Sequence, residues 1–356
     1  MNVIRVLAAA LAAATAASAA VAQTKLTVGL GTVPTLIYGV HYLAAGKGYF
    51  KEEGLEVEYV VFDGTATLMP QVAQKRVFTA WPNPDVLILS RQPGRDPLPM
   101  KCAYNGVRTT AWEYAVLADS PVKALADLKG RKIGVISLAM GSVPITRALL
   151  GELKMTAGTD YQLVPVGQGA TAFRALTEKQ VDALNLFDGQ HLALEFTGAK
   201  IRRLEQPAKY VNQFSNCWVV HNDTLKERPD VVARFGRAFA KASVACQANW
   251  GECVRNFWGY FPAQKPTDGT EDEKLARGIA ILRSRTDKFF TFPAGKSRNF
   301  GEYYEEDWRN FVDVLHAGGQ IASRDLPLAE MYTNQFVAEY NRFDAAAVAK
   351  RAADGR

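Results

Sequence analysis

One structural unit is written twice into this sequence, and the repetition restricts the fold more than any other property of the chain. Residues 25–30 (KLTVGL) read as a short strand with turn residues behind it. Thr32-Val33-Pro34-Thr35 then opens a helix to about Ala45, with Leu36, Ile37, Val40, Leu43 and Ala44 at helical spacing. Gly46 and Gly48 end it. A second strand over 55–62 (LEVEYVVF) puts Val57, Tyr59 and Val61 on one face, Gly64-Thr65-Ala66-Thr67 opens a second helix, and 77–81 (VFTAW) is a third strand. Such a β-loop-α-β-loop-α-β run predicts a parallel sheet covered by helices. It then returns: strand 131–136, a helix opened by Gly141-Ser142-Val143-Pro144, strand 161–166, a helix opened by Gly169-Ala170-Thr171-Ala172, and strand 181–186. Gly31-Thr32-Val33-Pro34 and Gly141-Ser142-Val143-Pro144 are 110 residues apart; Gly64-Thr65-Ala66-Thr67 and Gly169-Ala170-Thr171-Ala172 are 105 apart. Either tetrapeptide could match by chance, but two matches at nearly one offset argue for two similar lobes.

The rest of the chain is read around these lobes. The strand-like runs 112–118 and 216–221 are expected to connect them, the second returning the chain to lobe one. From about Leu225 the pattern is mostly helical, with candidates over 229–249, 252–260, 271–283, 303–317 and 328–341, and a frayed tail from 345 onward. The expected divisions are a leader at 1–22, lobe one at 23–112, lobe two at 113–216, a return to lobe one with C-terminal helices at 217–345, and a tail at 346–356.

The leader is read from its own chemistry. A short basic start ending in Arg5 precedes an almost wholly Ala, Leu and Val segment, and Ala20-Val21-Ala22 fits the small-x-small cleavage rule. An export signal cleaved after Ala22 follows, and a periplasmic location with it; an uncleaved N-terminal anchor is the alternative. No Cys follows the cleavage point, so lipid attachment there is excluded. Lys+Arg 42 against Asp+Glu 36 gives +6, but the basic residues are scattered, so nucleic acid is not an expected partner. Cys102, Cys217, Cys246 and Cys253 would then meet an oxidising compartment. Only Cys246 and Cys253 are close in sequence, and a disulfide between them is expected, two buried thiols being the alternative. There is no CxxC, and the four His lack ligand spacing, so neither metal nor cofactor is expected.

Two α/β lobes joined twice leave a cleft, and in open parallel sheets ligands sit at the carboxyl ends of strands, where helices begin. Those starts are 32–35, 64–67, 141–143 and 169–171, each offering free backbone N–H groups and a positive dipole end. The same Gly, Ser and Thr residues are also ordinary helix caps.

A family resemblance adds to this reading. Residues 44–57 (AAGKGYFKEEGLEV) resemble the opening of the NMT1/THI5-like periplasmic substrate-binding proteins of ABC importers, the nitrate, sulfonate, taurine and thiamine-pyrimidine group. Residues 120–135 (SPVKALADLKGRKIGV) are similar to that family's entry into its second lobe; Asp182-Ala183, Gly198-Ala199-Lys200-Ile201-Arg202, Asn249 and Tyr260-Phe261-Pro262 also fit. The resemblance implies a type II periplasmic-binding-protein fold, α/β with two lobes and extra C-terminal helices on lobe one. It implies a monomer that clamps a small molecule and delivers it to a membrane permease. Carried onto this chain, the ligand contacts would be Val33, Thr35, Gly64, Thr65, Trp81 and Asn83 from lobe one, and Met140, Gly141, Ser142 and Asp188 from lobe two.

Trp81, between a strand end and Pro82-Asn83-Pro84, would be a rigid shelf for a planar ligand or a core residue. Asp188, at the equivalent place in the second unit, would accept from an amine, amide or aminopyrimidine, or would be a turn residue before Gly189. The two are expected to face each other across the cleft. No Arg falls in a proposed loop, so a planar heterocycle and a sulfonate- or nitrate-like anion both stay open. A periplasmic sensor partner and an exported enzyme are the competing classes. G-x-S-x-G and H-E-x-x-H motifs are absent, and the cysteine-rich motif of the related pyrimidine synthases has no counterpart.

Overall fold

The computed structural model describes residues 23–355; the expected leader lies outside them. Ten strands form two sheets: β1 (Thr24–Leu30), β2 (Leu55–Val61), β3 (Thr79–Ala80), β4 (Met100–Asn105), β5 (Trp112–Leu117), β6 (Lys132–Val135), β7 (Gln162–Pro165), β8 (Ala183–Phe187), β9 (Ile201–Leu204) and β10 (Cys217–His221). The first sheet runs β2-β1-β3-β10-β4 and the second β7-β6-β8-β5-β9. In each, three parallel strands come from one copy of the repeated unit. An antiparallel strand, β10 in the first sheet and β5 in the second, then joins the set to one further strand.

The runs expected to be connections are therefore sheet members. Trp112–Leu117 and Cys217–His221 are the first strands laid down after each crossing; the crossings themselves are the segments 106–111 and 205–216. Their apolar pattern matches this place: β10 is buried along its whole length and β5 at four of its six residues, as inner strands require. A strand's place within a sheet is not legible from its own pattern.

The C-terminal helices close over the first sheet. Pro229–Ala248 presents a stripe including Val231, Val232, Phe235, Ala238, Phe239, Ala242 and Cys246 to the core. Trp250–Tyr260 follows after Asn249, whose side chain caps it by accepting from Glu252 N at 3.0 Å. Glu271–Thr286 starts with a capping box between Thr270 and Glu273. Glu305–Ala317 reaches the second sheet's side, packing on Ser142–Glu152, with Gly318 against Ala148. The expected helix over 328–341 is broken into a 3₁₀ turn, Leu328–Glu330, and a short helix, Val337–Tyr340. The expected tail is instead helical over Ala345–Ala353. Asp344 Oδ1 caps it by accepting from Ala347 N, Val348 is buried, and Asn249 Nδ2 donates to Ala352 O. The Asp-then-Ala-rich pattern carried that signal.

Both cysteine pairs are bonded in the structure. Cys246–Cys253 ties the end of one helix to the next, and Cys102–Cys217 ties β4 to β10 across 115 residues of sequence. Among the described residues no helix is long and apolar enough to cross a membrane.

Candidate functional site in the cleft between the lobes

The loops at the carboxyl ends of the parallel strands meet each other. Ala66 N, behind β2, donates to Ala139 O, behind β6, at 3.1 Å. Gln168 Nε2, behind β7, donates to Val33 O, behind β1, at 3.1 Å. Two glycines make this approach possible. At Gly64, with φ +81°, a Cβ would fall 2.6 Å from the Ala139 carbonyl. At Gly141 it would fall 2.6 Å from both Asn83 Cβ and Asp85 Oδ1. None of the four expected helix starts is capped by its own N-cap side chain, although Ala66 N donates to Ala139 O and Gly169 N to Gln190 Oε1.

The expected contact residues fall in several environments. Val33 is exposed at the rim and Thr35 is half-buried. Gly64, Thr65, Met140, Gly141 and Ser142 are buried where the lobes touch. Asn83 is buried, and its Oδ1 accepts from Asn216 Nδ2 at 3.3 Å.

Trp81 takes the core alternative of its two expected roles, and Asp188 takes neither of its own. Trp81 is a core residue, 3% exposed: a Cβ on Gly106 would sit 1.7 Å from its ring, and His41, Trp218 and Phe239 pack around it with centroids 4.4–5.3 Å away. Its ring is not an open shelf. Asp188 is not a free acceptor. Arg285 Nη2 donates to its Oδ1 at 3.1 Å, and Lys288 Nζ donates to its Oδ2 at 2.7 Å. Its own neighbour Gly189 N donates to Oδ1 at 2.8 Å.

Arg285 and Lys288 were missed because they lie 97 and 100 residues beyond Asp188, on and just behind Glu271–Thr286. Basic residues in a last helical turn read as ordinary dipole partners. Arg285 is almost fully buried, with its guanidinium carbon 5.0 Å from the Phe187 ring centroid, and Phe187 stacks on Trp112 at 4.3 Å. Lys288 also donates to Thr110 O at 2.6 Å, on the first crossing segment. The ion pair thus clasps the strand end of the second sheet to the helix that closes the first.

Three further buried titratable groups lie behind the strand ends of the first sheet. Tyr38 OH shares a 2.9 Å hydrogen bond with Thr32 Oγ1, and burial holds its phenol above the ordinary value. His41 is wholly buried among aromatic rings; burial first, and the Arg285 charge second, push its pKa down to about 3, so it is neutral. Asp85, at the start of Asp85–Ser90, is fully buried, and burial drives its carboxyl well above the usual carboxylate range. The amides of Asp85 and Val86 lie close enough to favour the anion, but neither carboxyl oxygen has an aligned hydrogen-bond partner. Asn83 Nδ2 and Ser142 Oγ are likewise buried and unpartnered. In the sequence Asp85 reads as a first-turn acid behind Pro84, and nothing local marks it otherwise.

Comparisons with known proteins bear on this arrangement. Residues 38–250 match the NMT1/THI5 like family. The riboflavin-binding protein RibY of Chloroflexus aurantiacus is 24% identical over 340 residues, covering 92% of this chain and 90% of that protein. The formylaminopyrimidine-binding protein of Halalkalibacterium halodurans is 24% identical over 212 residues, covering 58% of this chain and 62% of its own length. The alkanesulfonate-binding protein SsuA of Xanthomonas axonopodis pv. citri, solved with bound MOPS, superimposes with a TM-score of 0.64 at 13% identity, covering 87% of this chain and 98% of that one. That likeness gives the fold, the two-lobe arrangement of periplasmic binding proteins. The family match spans more than half of the chain, and the chain belongs to the NMT1/THI5-like family.

Proposed function

We infer that this member of the NMT1/THI5-like family is an exported solute-binding protein. It captures a small planar nitrogen heterocycle between its lobes and delivers it to an ABC permease. The observation that carries the reading is the meeting of the strand-end loops in one cleft, where helix starts without N-cap side-chain bonds and buried polar groups from both lobes face each other. Such a cleft closes on a ligand and sheds it on opening, which is what a capture-and-deliver protein needs. Relatives named for binding riboflavin and a formylaminopyrimidine support a heterocycle, and the leader at 1–22 supports export.

A second reading keeps the cleft but changes the ligand. Arg285 and Lys288 share the single carboxylate of Asp188, so this corner carries one cation in excess and would favour a sulfonate-like anion. A thermal-shift and calorimetric screen of residues 23–356 separates the two. It includes riboflavin, aminopyrimidines, taurine and alkanesulfonates. A ligand at a hundred times its dissociation constant stabilises by about 2.7 kcal/mol. Heterocycle binding is expected; a response to sulfonates alone selects the second reading, and no response to any probe rejects both.

A further inference from the structure

We propose that Asp85, with Asn83 and Ser142 beside it, reads an N–H-bearing edge of the ligand, such as the amino group and adjacent ring nitrogen of an aminopyrimidine or the imide of an isoalloxazine. The proposal rests on the reading of the cleft as a heterocycle site, and it names the chemistry by which the site selects.

Asp85 and Asn83 stand behind the third strand of the first sheet, and Gly141 and Ser142 stand behind the first strand of the second unit. They meet at one point, since a Cβ on Gly141 would touch Asn83 Cβ and Asp85 Oδ1 alike. At that point both lobes leave hydrogen-bonding capacity unused: both Asp85 oxygens, Asn83 Nδ2 and Ser142 Oγ are buried without a partner. A carboxylate that merely supports a fold is normally paired when buried. Elsewhere in this cleft that is so, because Asp188 has two cations and a backbone amide.

The unused groups are complementary to one kind of edge. Burial favours the protonated form of Asp85 in the empty site; an N–H donor on the ligand supplies the partner that the ionised, acceptor-only form lacks. Asn83 is oriented by Asn216, which donates to its Oδ1 and to the Trp81 carbonyl, so its amide N–H₂ is the free end and needs an acceptor. Ser142 can serve as either. A donor beside an acceptor on a flat ring satisfies Asp85 and Asn83 together. Ser142 also opens Ser142–Glu152, whose positive end faces the Asp85 side chain and favours the ionised acceptor. A sulfonate carries no donor, so it gives the ionised form of Asp85 no partner and only repulsion.

Two probe pairs in which N–H is replaced by N–methyl test this: riboflavin against 3-methylriboflavin, and 4-aminopyrimidine against 4-dimethylaminopyrimidine. The wild-type chain is expected to prefer the N–H member of each pair by at least tenfold. Asp85→Asn is expected to reduce that preference to within about twofold, with the ligand-free protein melting no lower than wild type, because no native partner is lost. Gly141→Ala, which places a Cβ on Asp85 Oδ1, is expected to remove the preference by a second route and serves where Asp85→Asn does not fold. Heterocycle binding with the preference intact in both variants overturns the proposal and leaves the proposed function standing. Failure of every heterocyclic probe to bind wild type overturns the proposed heterocycle and this proposal with it.

Discussion

Asp188→Ala strands Arg285 and Lys288. Arg285 keeps 3% of its side-chain surface exposed and Lys288 22%, and Lys288 retains the Thr110 carbonyl. Removing one partner of a buried pair ordinarily costs about 3–5 kcal/mol, most of it the charge left behind. Here the pair spans two bodies: Asp188 begins Asp188–Phe196 beside the second sheet, while both cations belong to the segment that closes the first. Opening the cleft hydrates the stranded guanidinium. The loss therefore appears first in the open–closed equilibrium, where about 3 kcal/mol is a shift of roughly 150-fold, and only its remainder in global unfolding. Arg285→Met should cost much less, about 1 kcal/mol, because Asp188 keeps Lys288 and the Gly189 amide. The double variant should recover part of the Asp188→Ala loss, since no buried guanidinium remains unpaired. Small-angle scattering across a ligand titration reads the equilibrium, and thermal melting reads the remainder. An Asp188→Ala scattering profile that matches wild type throughout, with Arg285→Met equally or more damaging, would refute the clasp.

Trp81→Ala should lower the melting temperature by about 6–10 °C, from a core loss of about 3–5 kcal/mol, and Gly106→Ala should act in the same direction by pressing on the same ring. Unchanged melting in calorimetry would return Trp81 to the cleft wall. Alkylation of the native protein without reductant should label none of the four cysteines by mass spectrometry. Losing Cys102–Cys217 should cost more than losing Cys246–Cys253, because it closes the longer loop. Burial alone would raise the Glu113 carboxyl, but His191 and Arg203 bound to it hold its pKa at about 2. Its contribution is full above the unfolded value of about 4.3 and is lost as pH falls toward about 2. Acid melts of Glu113→Gln should accordingly lack that part of the loss, about 2–3 kcal/mol; parallel wild-type and variant curves would contradict it.

The parts of the fold that sequence reasoning reached are those written locally. The strands, helices and turns of each parallel unit follow from signals that sit side by side, such as Gly64 before Thr65–Ala73 and Gly141 before Ser142–Glu152; their 2-1-3 order in the sheet is seen only in the structure. What it missed depends on distance. β5 and β10 look like linkers because only their partners, remote in the chain, make them sheet members.

The roles of the two cleft carboxylates have the same cause. Asp85 follows the third strand of the first unit as Asp188 follows that of the second, 103 residues later, close to the repeat offset of 105. As first residues of the helices that follow, the two positions correspond, although counted from the strand ends Asp188 corresponds to Trp81. Glu271–Thr286 breaks the equivalence. It belongs to neither repeat, packs against Asp188–Phe196, and brings Arg285 and Lys288 to one strand end alone. Asp188 is thereby spent on holding the lobes together, and Asp85 is left buried with its acceptors free. On the proposed reading, a single helix outside both repeated units leaves one carboxylate paired across the lobes and the other available for a ligand.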